Sequence, residues 1–126
     1  MKTILVLTVL IAVALAGPRL DEIRAAVKAC GAEYEGPNNL RTLIMKEDAD
    51  KVKLGEKIFC INKKIGIQKE NGDIDEEVFL RDSQAIEDEN KRNKLKECMK
   101  RNGATPEEAA FNYLKCCETT LESLKH

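Results

Sequence analysis

Five cysteines, at positions 30, 60, 98, 116 and 117, are the residues of this chain whose type and spacing promise chemistry. A cysteine serves as a nucleophile, a metal ligand or half of a disulfide. Nucleophilic use requires a base that generates the thiolate, usually histidine, and the single histidine is the terminal His126. Neither a cysteine nor a serine nucleophile therefore has an interior imidazole to activate it. Structural zinc draws its ligands from closely spaced pairs, and these cysteines lack that spacing and the histidines to complete it. Disulfide chemistry remains, with the odd cysteine left as a free thiol or an intermolecular link. Within a helix, the side chains of Cys116 and Cys117 diverge by about 100°, which argues against a bond between them.

Two acidic features resemble functional sites without their geometry. Asn71-Gly72-Asp73-Ile74-Asp75-Glu76-Glu77 has the acidity of a calcium loop, but its glycine is misplaced and the spaced oxygen ligands before it are missing. It is expected to be a polar turn in which Asp73 or Asp75 caps the next helix. Asp75-Glu76 and Glu107-Glu108 fall at expected helix starts, where carboxylates complement the helix dipole. There is no glycine-rich phosphate loop. No metal or cofactor is implied, and the protein is expected not to be an enzyme.

The compartment follows from the first residues. Met1-Lys2 is a short positive start, Ile4 to Leu15 is apolar except for Thr8, and Ala14-Leu15-Ala16 offers small residues at a cleavage site. This pattern predicts a signal peptide over residues 1–16 and a secreted chain over 17–126. The apolar stretch is too short to span a bilayer, which takes ~20 residues. Removing Lys2 leaves 20 basic and 22 acidic residues, interspersed along the chain. That balance gives no footprint for nucleic acid or for an anionic membrane.

The elements that must carry the cysteines are helical, since apolar residues recur at helical spacing and alternating strand patterns are absent. Leu20, Ile23, Val27 and Cys30 form the stripe of a first helix. A short second helix, capped by Asn38 or Asn39, carries Leu40, Leu43 and Ile44, and a third runs from about Leu54 to Ile65. After the Asn71-Gly72 turn a short helix carries Val78, Phe79 and Leu80. Asp82 or Ser83 is expected to open a long charged helix with Ile86, Leu95 and Met99 facing inward, stopped at Asn102-Gly103. The last helix opens with Thr105 as cap, Pro106 at the first position and Glu108 completing a capping box. Its stripe runs through Ala110, Leu114, Cys117, Leu121 and Leu124. Six helices in one domain result, with no internal repeat.

The cysteine spacing resembles that of insect odorant-binding proteins, small secreted six-helix proteins with six cysteines. In that family the second and third are separated by three residues and the fifth and sixth by eight; first pairs with third, second with fifth, fourth with sixth. With Cys60 as the third, the second falls at Glu56; with Cys116 as the sixth, the fifth falls at Glu107. The two absent cysteines are thus the two that would have bonded to each other, as in the four-conserved-cysteine ("minus-C") subgroup. Lys63-Lys64-Ile65-Gly66-Ile67, Glu70-Asn71-Gly72-Asp73-Ile74-Asp75 and the thirty-seven residues between Cys60 and Cys98 also suit the family.

The resemblance implies an all-α, six-helix, disulfide-linked fold enclosing an apolar cavity. It implies Cys30–Cys60 and Cys98–Cys116 disulfides with Cys117 as a free thiol. The loops so closed, of about 31 and 19 residues, would each contribute roughly 3–4 kcal/mol. Helical phase, however, puts Cys117 on the apolar face of the last helix, which leaves a Cys98–Cys117 bond open. The implied function is carriage of a small hydrophobic ligand, such as an odorant or pheromone, with a chemosensory receptor as partner and a monomer or weak homodimer as the state. Leu43, Ile44, Ile58, Ile61, Val78, Phe79, Ile86, Met99, Phe111 and Leu114 are the candidate lining residues, and Tyr113 could offer a hydroxyl. Without a bridge between positions 56 and 107, the domain is expected to be softer and to tighten on ligand. With no histidine before His126, a histidine-driven acid release is disfavoured. Two rivals stand beside this reading: a carrier working in venom, saliva or reproductive fluid, and a secreted helical protein without a cavity that acts by protein contact.

Overall fold

A computed structural model describes residues 18–84 and 86–123. The expected signal peptide, its cleavage site, Leu124 and His126 lie outside the described residues. Six α-helices follow one another: α1 Pro18–Ala29, α2 Leu40–Ile44, α3 Lys51–Lys64, α4 Glu76–Ser83, α5 Glu89–Lys96 and α6 Pro106–Ser123. No strand forms among the described residues; one isolated antiparallel bridge, Gln68 to Ile74, closes the Asn71-Gly72 turn.

The helix starts share one device, a side-chain oxygen that accepts from a first-turn amide left without an intrahelical partner. Asn39 takes the Thr42 amide at 3.0 Å, Asp50 that of Lys53 at 3.1 Å and Asp75 that of Val78 at 3.2 Å. Asp88 takes those of Asn90 and Lys91. At α6 the Thr105 hydroxyl accepts from the Glu108 amide at 3.1 Å, while the Glu108 carboxylate accepts from the Ala104 amide at 2.8 Å. This capping box is one residue wider than the sequence pattern specifies.

Three boundaries differ from the sequence reading. α3 begins at Lys51 rather than Leu54, because Asp50 supplies the cap one turn earlier. Asp82 and Ser83 end α4 instead of opening a helix, and the Ser83 hydroxyl donates back to the Leu80 carbonyl. The expected long helix is cut to the eight residues of α5, opened by Asp88, followed by a 3₁₀ turn over Glu97–Met99. The physical reason is thin apolar support: Leu95 is the one buried residue of α5, so little packing is available to hold a longer helix. Gly103, expected to stop that helix, belongs instead to the turn against α6. There a Cβ would lie 2.7 Å from the Ala109 nitrogen.

α3 and α6 form the central pair, and the other helices pack around them. One hydrophobic cluster runs through the molecule, from Ile23 and Val27 of α1 to Phe111, Leu114 and Cys117 of α6. Leu80, a candidate for the inner face of α4, is exposed.

Candidate ligand-binding site

Cys30 at the end of α1 is bonded to Cys60 in α3, with 5.9 Å between the Cα atoms. Cys98 in the 3₁₀ turn is bonded to Cys116 in α6, with Cα atoms 5.7 Å apart. Cys117 is a buried free thiol. The apolar stripe of α6 and its disulfide thus use neighbouring residues: Cys117 faces the core, and half-buried Cys116 reaches sideways to the turn.

The ten candidate lining residues converge. Ile44 of α2, Ile58 and Ile61 of α3, Phe79 of α4, and Phe111 and Leu114 of α6 are all but completely buried, and Ile86 nearly so. Leu43, Val78 and Met99 are half-buried against the same cluster. The structure brings the ten together as members of one core. Polarity enters that core through Tyr113 and Cys117, hydrogen-bonded neighbours one turn apart in α6. Burial, with Cys117 alongside, holds the Tyr113 hydroxyl well above its ordinary range. Burial likewise pushes the Cys117 thiol up to about 12, against the Tyr113 hydrogen bond, which lowers it. Both groups are therefore neutral at physiological pH. The Tyr113 ring meets that of Phe79 edge-on, with centroids 6.4 Å apart.

Several clefts open around this core among the described residues. One of about 520 Å³ lies between the Asn71-Gly72 turn, the start of α4 and Lys100-Arg101; Met99 borders it and its rim is charged on both sides. A second, of about 450 Å³, lies over the crossing of α3 and α6, with Phe111, Val52, Glu56 and Glu107 among its lining residues. A third, of about 330 Å³, lies beside the Cys98–Cys116 bond. Among the ten candidates, Met99 borders the first and Phe111 the second; the other eight border none of the three.

The helix crossing under the second cleft is unusually close. A Cβ on Gly55 would stand 2.5 Å from the Glu107 carbonyl oxygen and 3.5 Å from the Glu107 Cβ. Only glycine allows the two backbones this approach. Glu56, the next residue of α3, and Glu107 consequently border the same cleft.

Sequence patterns missed the buried polar groups that hold the site's frame. Asn62 and Gln68 are buried and bonded to each other at 2.9 Å, and Gln68 also donates to the carbonyls of Gly72 and Pro106. Arg19 donates to the Ile65 carbonyl at 2.8 Å and to the Asp82 carboxylate at 2.7 Å, which joins α1, the end of α3 and α4. Arg41 of α2 pairs with Glu118 and Glu122 of α6. Asn62 falls on the α3 stripe four residues after Ile58, and that position was its one visible signal.

The sequence model of the PBP/GOBP family matches residues 14–120, most of the chain. The chain belongs to the PBP/GOBP family. These insect odorant-binding proteins are secreted binding proteins rather than enzymes, and the helical, disulfide-linked architecture here is that of PBP/GOBP proteins. Among curated proteins and among solved structures, no match was found. No helix among the described residues is long and apolar enough to cross a membrane. No group of three or more potential metal ligands gathers among those residues.

Proposed function

We propose that this protein is a secreted carrier that takes up small neutral hydrophobic molecules, odorants or pheromones among them, and moves them through aqueous fluid. The observation that carries the proposal is the PBP/GOBP match over residues 14–120. The convergence of the ten candidates, from Leu43 to Leu114, in one apolar cluster supports it. A ligand there would displace core contacts and replace them with its own, gaining ~25 cal/mol for each Å² of apolar surface it buries. Half-buried Met99, with its flexible thioether, is suited to adapt to different shapes. The neutral Tyr113–Cys117 pair would orient a ligand bearing a carbonyl or hydroxyl group. Residues 1–16 are the proposed signal peptide and 17–126 the mature domain.

The minus-C assignment belongs to the same proposal. Gly55 packed on the Glu107 backbone brings Glu56 and Glu107 to one cleft, where a second-to-fifth bridge would lie. The pairs Cys30–Cys60 and Cys98–Cys116 are the other two bridges of that pattern.

Displacement of a neutral hydrophobic fluorescent reporter by volatile aromatics, terpenoids and fatty-acid esters tests the reading. Micromolar displacement by several of them, with a raised melting temperature, is the expected outcome. A folded, helical protein that binds neither reporter nor panel would overturn it.

A further inference from the structure

Two asparagines of the chain precede glycine, Asn71 and Asn102. Such a pair carries a reaction of its own. The backbone nitrogen of the glycine, with no side chain beside it to hinder approach, attacks the asparagine Cγ. Its proton passes to solvent base, the new C–N bond closes a five-membered imide, and the carboxamide nitrogen leaves as ammonia. Water then opens the imide at one carbonyl to give aspartate, or at the other to give isoaspartate. The isoaspartate backbone is longer by one methylene group. The fold demands both glycines: a Cβ on Gly72 would lie 2.9 Å from the Pro106 Cα, and one on Gly103 2.7 Å from the Ala109 nitrogen.

The surroundings of the two pairs are opposite. At Asn71 every reacting group is engaged. The Gly72 amide donates to the Lys69 carbonyl at 2.8 Å, and Gly72 is buried. Asn71 Oδ1 accepts from the Asp73 amide at 2.9 Å, and its Nδ2 donates to the Asp73 carboxylate at 3.3 Å. Arg101 and Gln68 grip the Asn71 and Gly72 carbonyls at 2.7 and 2.8 Å. Asn102, by contrast, is exposed, and Gly103 is half-buried. Among the described residues, no hydrogen bond engages the Asn102 carboxamide or the Gly103 amide. Only the carbonyls of this pair are held, that of Asn102 by Asn112 at 2.6 Å and that of Gly103 by Arg101 at 3.1 Å. The Asn102 carboxamide can therefore turn to meet the Gly103 nitrogen with no hydrogen bond to break.

We propose that Asn102 is a self-modification site of the folded protein, and that the turn contacts withhold the same reaction from Asn71. The reaction uses water and solvent base alone, and it stands independently of the carrier reading. Its place in the chain gives it a consequence. Asn102-Gly103 lies between the 3₁₀ turn that carries Cys98 and the start of α6, and Gly103 is wedged against Glu108 and Ala109. A backbone longer by one methylene cannot keep Gly103 in that place and the Asn102 carbonyl on Asn112. Conversion to isoaspartate thus loosens the start of α6, and does so irreversibly.

Incubation of the purified, disulfide-bonded protein in mildly alkaline buffer, followed by tryptic digestion and mass spectrometry, reads both sites in one sample. Asn71 falls in the peptide Glu70–Arg81 and Asn102 in Asn102–Lys115, where fragmentation distinguishes it from Asn112. In the folded protein Asn102 is expected to convert at least about tenfold faster than Asn71, whose reacting groups must first break hydrogen bonds worth that factor. In urea, with the chain unfolded, the two rates are expected to converge. Equal rates in the folded protein, a faster Asn71, or a difference that survives urea overturns the proposal. So does a folded protein that stays unmodified at both sites while the unfolded chain reacts. The isoaspartate form, isolated by chromatography, is expected to melt roughly 4–8 °C below the unconverted protein, as the loss of one net hydrogen bond gives in a domain near this size. An unshifted melting temperature overturns the consequence for α6.

Discussion

The two ends of α3 are held against the rest of the protein in opposite ways. At its C-terminal end Cys60 is tied to Cys30, the Ile65 carbonyl is gripped by Arg19, and Asn62 and Gln68 form a buried polar link to the Asn71-Gly72 turn and Pro106. At its N-terminal end there is a cap from Asp50, a glycine pressed on the Glu107 backbone, and then a cleft bordered by Glu56 and Glu107. One end is fixed by bonds that outlast small displacements. The other is fixed by shape alone, and a contact of that kind loses its attraction within an ångström of separation. Separation of the helices therefore has an obvious place to begin, at the crossing of α3 with the start of α6.

The largest expected effect comes from cutting the tied end. Replacing Cys30 and Cys60 with alanine removes a loop constraint worth roughly 3–4 kcal/mol, to be read from the urea midpoint. A loss below about 1 kcal/mol would mean that the polar links hold this end without the disulfide. Next is Arg19→Ala, which removes the shorter of the two guanidinium contacts of the Asp82 carboxylate, only 4% exposed, and leaves it the half of the pair made by Arg81 at 3.5 Å. Breaking such a pair costs several kcal/mol when it is fully enclosed; Arg19 is itself partly exposed, so a loss of about 2–3 kcal/mol is expected.

Gly55→Ala probes the untied end, and there the sign matters more than the size. In an unobstructed helix, alanine for glycine would stabilise by up to about 1 kcal/mol. With a backbone oxygen 2.5 Å from the new methyl group, α3 and α6 must part, and a loss of about 1–3 kcal/mol is expected. A gain would show that the crossing is slack enough to yield freely.

A further effect is graded with pH and reports on the buried face of α6. The Cys117 thiol has its folded-state pKa raised to about 12 from an ordinary 9.0. Between these values the unfolded chain loses the proton and the folded one keeps it, so stability falls as pH rises through that window. The slope is about 1.4 kcal/mol per pH unit, with Tyr113 acting in the same direction above its ordinary value of 10.0. Cys117→Ser is expected to flatten the early part of this alkaline limb in denaturation curves measured from pH 8 to 11. An unchanged curve would place the thiol in contact with water.

Most of the framework was legible in the sequence, because helical stripes and caps are local. Thr105-Pro106 and Glu108 marked the start of α6 to the residue, and the six helices could be counted. The division between α4 and α5 was not legible, since Asp82, Ser83 and Asp88 are all good caps. Tertiary contacts, among them Arg19 on Asp82, decide which of them is used. For the candidate site, sequence could nominate Ile58, Phe79 or Leu114 as apolar and inward, but a residue that lines a pocket and one that fills a core obey the same periodicity. The meeting of Glu56 and Glu107 at one cleft was illegible for a different reason. Their proximity is made by Gly55 and the Glu107 backbone, a contact between residues far apart in the chain.

The two disulfides close separate, successive loops, 30 to 60 and 98 to 116, so no covalent link other than the backbone itself crosses from one half of the chain to the other. A single proteolytic cut between Cys60 and Cys98 would leave two pieces joined only by packing. Basic residues suited to tryptic cleavage, Lys94 and Lys96, stand exposed in α5 within that stretch. A bridge from position 56 to position 107 would have spanned every such cut and kept the pieces together. Lys69, exposed in the turn before α4, offers a further such site, so in a fluid that contains proteases the stretch from Cys60 to Cys98 is where one cut divides the protein.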